Sequence, residues 1–541
     1  MTNIIGGNPA DLRSADILEG GNDTDVIFGD RFATGNDRGA PQVGGALRWG
    51  VGGSDLIDAG GGNDLVLGDA WVIKLTGRGG NDLIDGGDGH DELYGDAWHI
   101  FGTGKGGADQ INGGAGDDRI QGDAWWLDEK SIGGGDGLAG GEGNDTMRGD
   151  AVLLSATARG GADLLDGDAG DDRLIGDGDS LVGTAVGGAD KLVGDIGNDE
   201  LLGDADALAD SALGGKDSLA GGLDNDTVVG DATTMSGGAT GGADRLGGGG
   251  GSDVVYGDAV TLEGGARSGN DILFGGAGND DMSGDAKGAG AGTLSGTDTL
   301  YGDAGDDLIS GDSRDMEDGA LTASDRLSGG DGEDGLWGDA LNLFGDSAGA
   351  DDWAYGGNGN DFVIGDAYAL LDRAAGGDDT VAGGADDDLV YGDALVFLDT
   401  NTGGHDTVSG DAGNDTLYGD AAIMDGHAVG GDDLITGGTG NDELWGDGKL
   451  SDAALGGRDV FVFAAGSGLD VIQDFEDGKD LVDARGFQAL DAADLNGLTL
   501  TFSGGDTIVD LGLADGGSAG QDVVTIKGVT TIDASDFIFS T

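Results

Sequence analysis

The chain has 541 residues, of which 124 are Gly, 2 are Pro and none is Cys, and its formal net charge is −80. The lack of Cys excludes a disulfide framework and thiolate metal sites, the acidity excludes nucleic acid as a partner, and no run of 18 apolar residues could span a membrane. A Gly- and Asp-rich composition without collagen's three-residue rhythm leaves two classes, a disordered acidic chain or a metal-loaded repeat.

The N-terminal segment, residues 1–51, lacks a basic stretch followed by an apolar core, so no N-terminal secretory signal is expected from it. It contains one acidic triplet, Asp16, Asp25 and Asp30, with spacings of 9 and 5. The triplet lies 39 residues ahead of the next copy, so it carries 12 extra residues, placed in or near RFATGNDRGAPQ. This segment reads as a first coil with an enlarged loop. Both prolines, Pro9 and Pro41, lie in it, which suits strands that need every backbone N–H for their ladders.

From residue 52 to 455 the chain repeats every 27 residues, and three columns are pure Asp. The first comprises Asp55, Asp82, Asp109, Asp136, Asp163, Asp190, Asp217, Asp244, Asp271, Asp298, Asp325, Asp352, Asp379, Asp406 and Asp433. The second comprises Asp64, Asp91, Asp118, Asp145, Asp172, Asp199, Asp226, Asp253, Asp280, Asp307, Asp334, Asp361, Asp388, Asp415 and Asp442. The third comprises Asp69, Asp96, Asp123, Asp150, Asp177, Asp204, Asp231, Asp258, Asp285, Asp312, Asp339, Asp366, Asp393, Asp420 and Asp447. A disordered acidic tail has no reason to keep such a register.

Three apolar columns keep the same step, starting at Ile57, Val66 and Ile73, with small or polar members only at Ala354, Ala289 and Ser451. Each unit thus offers three inward side chains on three segments too short for helices, with Gly ahead of each. Stacked unit on unit, they predict an all-β parallel β-solenoid of fifteen coils, sixteen with the first copy.

Where the turn is complete it reads GGDGHDELY at 86–94 or GGTGNDELW at 437–445, and GDAGNDTLY at 410–418 differs at one position. Gly lets the backbone turn sharply and aim carbonyls into a small space, to which the sixth-position Asp adds charge. Stacked turns then form oxygen-only cages, which suit Ca²⁺ better than Mg²⁺; four scattered His are too few for a transition metal.

The pattern resembles the RTX (repeats-in-toxin) calcium-binding nonapeptide proteins. The resemblance implies that the Asp64 column supplies carboxylate ligands, with Gly carbonyls completing the shell. It extends the same role to the Asp55 column and to the early copy Asp16, Asp25 and Asp30. The Asp69 column reads as ligand, with a turn cap through backbone N–H groups as the alternative. The usual β-roll of this family has 18 residues per coil. A strict step of 27 favours instead a three-sided coil with one plain side and calcium-rich corners, an irregular RTX β-roll being the alternative. About forty divalent ions would offset the charge, and two to three per coil over sixteen coils gives roughly 32 to 48. Without them stacked carboxylates repel, so the chain is expected to fold on binding calcium.

After residue 455 the step fails: position 460 is Val, and Asp459 and Asp470 fall off register. Residues 456–541 read as a β cap over the last coil. They resemble the C-terminal region of RTX proteins exported by type I secretion, such as serralysin-like proteases and bacterial calcium-binding surface proteins. The closing Asp536–Phe539, DFIF, is similar to their uncleaved export signal.

Catalytic motifs gain no context. Gly345-Asp346-Ser347-Ala348-Gly349 fits GxSxG but sits in a variable segment, and His90, His99, His405 and His427 form no HExxH. Trp71, Trp98 and Trp125 share a column on the plain side, where later coils have Asp179 and Asp206. That ladder either packs or forms an apolar patch for self-assembly or for a partner. The expectation is a secreted calcium-binding structural or adhesive repeat protein, not an enzyme. It is exported by type I secretion machinery and assembles at the cell surface or in extracellular matrix. The alternative is a calcium-dependent carbohydrate-binding or enzyme-associated RTX module. An ice-binding face would need a Thr column, which the array lacks, and a toxin would need a further domain.

Overall fold

The computed structural model describes residues 2–5, 16–29, 46–317, 319–451, 453–487, 499–512 and 518–539. Asp30, the prolines and the extra residues 31–42 lie outside them. The chain divides into two units, Met1–Gly276 and Ala277–Thr541.

In the first unit every 27-residue coil contributes three strands. In one coil they are Leu83–Asp88, Glu92–Tyr94 and Ala97–Gly102. Each pairs in parallel with its counterpart one coil on, placing Ile84 beside Ile111, Leu93 beside Ile120 and Ile100 beside Leu127. Alternation turns these residues inward, and stacking the coils lines them up as three continuous buried columns. The early copy joins the same ladders: Ile17–Gly21 pairs with Leu56–Gly60, and Asp25–Phe28 with Leu65–Leu67. This is the all-β parallel solenoid expected from the repeat, with three strands per coil.

One packing layer lies outside the coil. Tyr94 follows the inward-facing Leu93, so alternation points it outward, yet it is buried. The chain bends at Gly95-Asp96 so that the outer faces of the second and third strands converge, and Tyr94 meets Trp98 at 5.6 Å between ring centroids. Phe28, Leu67 and Tyr94 form one apolar cluster there, and Ile175, Leu202, Val229 and Tyr256 another. Trp71, Trp98 and Trp125 stack along this edge at 5.3 and 5.1 Å. Where Asp179 and Asp206 take over the Trp column, Arg148 and Arg173 pair with them.

The second unit repeats the arrangement, for example Arg326–Asp331 on Trp353–Asn358 and Phe362–Ile364 on Leu389–Tyr391. Strand pairing continues past residue 455. Val460–Ala464 pairs with Leu434–Thr436, and Leu469–Ile472 with Glu443–Trp445. Leu469–Ile472 also pairs with Val523–Ile526, which enters an antiparallel sheet with Asp506–Asp510 and Thr499–Ser503. Leu481–Gly486 pairs with Phe537–Ile538, inside the DFIF segment. Among the described residues the one helical turn is Ala534–Asp536, and no helix is long and apolar enough to cross a membrane.

Candidate metal centres

The turn before Asp91 shows how the sequence builds a centre. Gly87 has φ +94°, and a Cβ there would collide with the Gly60 carbonyl of the preceding coil; the equivalent positions Asp168, Asp195, Asp303 and Asp411 take positive φ of 65 to 70° with a side chain. Stacking brings Asp91 under the turn of its neighbour. Its Oδ1 accepts the N–H of Asp64 at 2.7 Å, and its own N–H donates to Asp118 Oδ1 at 2.7 Å. The other carboxylate oxygen, Oδ2, is buried without a partner at Asp91, Asp118, Asp145, Asp172, Asp199 and Asp226. Unit two repeats this at Asp307, Asp334, Asp361, Asp388, Asp415 and Asp442.

Glycine also makes room for what would fill that space. A Cβ on Gly113 would lie 2.5 Å from Asp118 Oδ2 and 2.6 Å from the carbonyl oxygen of Gly140. A carboxylate from one coil and a carbonyl from the next therefore converge on a cradle that a Cβ at Gly113 would enter; Ala59 and Ala465 take the equivalent place beside Asp64 and Asp470.

The Asp55 column follows the same rule at a second corner. Asp109 Oδ1 accepts the N–H of Asp82 at 2.7 Å, its N–H donates to Asp136 Oδ1 at 2.7 Å, and its Oδ2 has no partner. The Asp69 column lies against it. Asp96 accepts the N–H of Gly107 through Oδ2 at 2.7 Å, while its Oδ1 stays buried and unpartnered. At Asp150 both oxygens lie 2.9 to 3.0 Å from the Gly161 nitrogen. The turn cap left open by the sequence is thus a real hydrogen bond, and at Asp96 one oxygen remains available beyond it. Each coil has two acidic corners, one a double file of carboxylates and one a single file.

All forty-five members of the three columns from Asp55 to Asp447 are at most 4% exposed. Burial, with like charges adding to it, pushes the carboxyl of Asp118 up to about 7 and those of Asp307 and Asp388 to about 8. Backbone N–H donors offset part of this. In the double file, burial and then the neighbouring Asp109, Asp123 and Asp69 hold Asp96 well above the ordinary carboxylate range. Asp136 is raised likewise by burial and by Asp123 and Asp109. Unpartnered oxygens at this depth are costly unless protonated or bound to a cation. The donors around them are carboxylate and carbonyl oxygens, a set that fits Ca²⁺ and offers no soft ligand.

Of the early copy, Asp16 and Asp25 donate their N–H groups to Asp55 and Asp64 Oδ1 at 2.7 and 2.6 Å, and Asp25 is buried. The histidines serve the stack. His90 and His405 accept the N–H groups of Asp117 and Asp432 through Nδ1 at 2.7 Å, and His99 stacks on Trp126. Outside the columns, Asp166, Asp168 and Asp195 bring carboxylate oxygens within 4.8 Å of one another on an open face.

The regular step of 27 missed further members. Asp459 and Asp470, off register in sequence, are in register in space: they accept the N–H groups of Asp433 and Asp442 at 3.1 Å. One residue is lost before Asp459 and two are gained between Asp459 and Asp470, giving steps of 26 and 28. The signal was AGSGLDVIQ at 465–473, the nonapeptide with Ala for its first Gly, one residue out of step.

The profile of the RTX calcium-binding nonapeptide repeat matches residues 12–33, 49–70, 74–97, 103–124 and 156–180, and ten further segments up to 427–448. Between 124 and 156 it finds no match, yet strands Gly137–Glu142 and Thr146–Arg148 form a coil there like the others. None of the curated proteins matches the chain. With calcium-type corners in coil after coil and the repeat profile covering most of its length, the chain belongs to the RTX calcium-binding nonapeptide-repeat family.

Proposed function

We propose that the chain is a secreted structural or adhesive repeat protein that folds on binding calcium outside the cell and has no catalytic role. The carrying observation is the recurrence of buried carboxylates with an unpartnered oxygen, coil after coil. Such a stack is self-repelling when ionised, and neutralising it with a divalent ion converts the largest destabilising feature of the fold into cross-links between coils. In this reading Ca²⁺ supplies charge neutralisation and shared coordination. The chain supplies the Asp64, Asp55 and Asp69 columns as ligands, with the Asp69 column also capping its turn, and Gly carbonyls beside them. Low calcium inside the cell keeps the chain unfolded for type I export, which its C-terminal region resembles.

Assembly at a cell surface or in matrix is supported by the exposed aromatic edge. Trp71 and Trp125 are 39% and 40% exposed. A carbohydrate-binding role is favoured less, because stacking along the Trp ladder covers the ring faces a sugar would need. Far-ultraviolet circular dichroism of metal-free protein during a calcium titration tests the reading. A β spectrum appearing with calcium supports it, and one already complete in excess chelator contradicts it.

A further inference from the structure

The last repeat matched by the family profile ends at residue 448, but the buried carboxylates do not end there. Asp459 and Asp470 make the same backward bond to the preceding coil that joins Asp118 to Asp91. They are 0% and 1% exposed, and Oδ2 of each is buried without a partner. Asp459 Oδ2 points at Gly446, as Asp433 Oδ2 points at Gly419 one coil earlier. Asp459 also donates its N–H to Asp480 Oδ1 at 3.1 Å.

Beyond this level the file closes from within the chain. The Asp474 carboxylate takes the N–H groups of Gly446 and Gly448 at 2.8 and 2.9 Å. Lys479 donates from Nζ to the Gly456 carbonyl at 2.5 Å, is ion-paired with Glu476, and stands beside Asp447 and Asp480. An ammonium paired with Glu476 therefore stands at the end of the double file.

We propose that the C-terminal block carries a cation-binding coil of its own, with Asp459 in one corner and Asp470 in the other, and that calcium is its ligand. This rests on the calcium reading of the repeats and extends it to a segment that no repeat match covers. The block is then more than a cap: it orders with the same ion as the array it closes, and Lys479 marks where dependence on bound ions stops.

Hydrogen–deuterium exchange on the full chain, metal-free and with added calcium, tests this against an Asp459→Asn, Asp470→Asn variant. Asn keeps the Oδ1 acceptor of each backward bond and removes only the second oxygen. In the wild type, amides of Val460–Ala464 and Leu469–Ile472 are expected to slow by roughly tenfold at a free ion concentration ten times the dissociation constant. In the variant that slowing is lost there, while Gln110–Ala115 and Arg119–Gln121 still respond. The proposal is overturned if wild-type residues 460–472 exchange alike with and without calcium while the repeat strands slow. It is equally overturned if the variant segment slows as much as wild type. If no segment responds, the calcium reading itself falls, and this inference with it.

Discussion

Asp118 accepts the backbone N–H of Asp91, 27 residues earlier, through Oδ1 at 2.7 Å, and its Oδ2 is left buried with no partner. One carboxylate thus does two separable things. Oδ1 clips neighbouring coils by accepting a backbone N–H, and Oδ2 is an acceptor that the fold alone leaves unsatisfied.

Asp118→Asn should separate them. The amide oxygen keeps the clip, while the amide nitrogen replaces Oδ2 and cannot bind a cation. The calcium-loaded protein should lose about 1–3 kcal/mol, as for a buried polar group deprived of its partner. The metal-free chain should be no less stable, since a buried charge has gone. Chemical denaturation with and without calcium measures both. Equal losses in the two conditions would show that Oδ2 has no role in ion binding.

Glycine should matter by place. Gly113→Ala puts a Cβ into the cradle between Asp118 Oδ2 and the Gly140 carbonyl and should weaken calcium binding. Gly247 has no heavy atom within 4 Å of its Cβ position, so Gly247→Ala should be neutral or stabilise by about 0.4–1 kcal/mol. Parallel calcium titrations of the two variants provide the comparison. Similar calcium midpoints for both would remove the cradle from the account.

The three core columns, the parallel stacking and the Asp columns were legible because every copy keeps its step, so a side chain's column is also its place in space. What was not legible follows from geometry that a step cannot carry. Leu67 and Tyr94 are buried on the outer face only because the Gly-Asp bend folds two outer faces together. Asp459 and Asp470 left the step by one residue in compensating directions while strand pairing held their places. The cap on the Asp69 column depends on a backbone N–H eleven residues on, as Asp96 with Gly107 and Asp312 with Ala323 show, and no motif announces it.

Acidity should act in opposite directions on the two forms. Asp118, Asp172 and Asp226 are raised from 3.8 to about 7, first by burial. A carboxyl whose folded pKa lies above its unfolded one stabilises the metal-free fold fully below about pH 4 and ceases to do so as pH rises through 7. Metal-free protein should therefore hold more β structure at pH 4.5 than at pH 8. Calcium should bind more weakly at the lower pH, where protons compete for the same oxygens. Circular dichroism and calcium titration at both pH values check this, and greater β content at pH 8 without metal would contradict it.

A second clip runs in the other direction and needs no ion. Asn414 accepts the N–H of Asn441 through Oδ1 at 3.1 Å and donates from Nδ2 to Asp387 Oδ1 at 2.8 Å, all on the exposed face of the turns. Asn414→Ala should cost about 0.5–1.5 kcal/mol with calcium present, leaving the number of ions bound unchanged. Thermal melts with metal analysis test it, and a drop in bound calcium would place Asn414 in the ion site.

The central claim is that the buried Asp columns are a calcium store built into the fold. The most direct measurement is the calcium content of folded, exhaustively dialysed protein by elemental analysis. Two acidic corners in each of sixteen coils predict roughly 30 ions per chain. A folded chain retaining only a few ions would contradict the account.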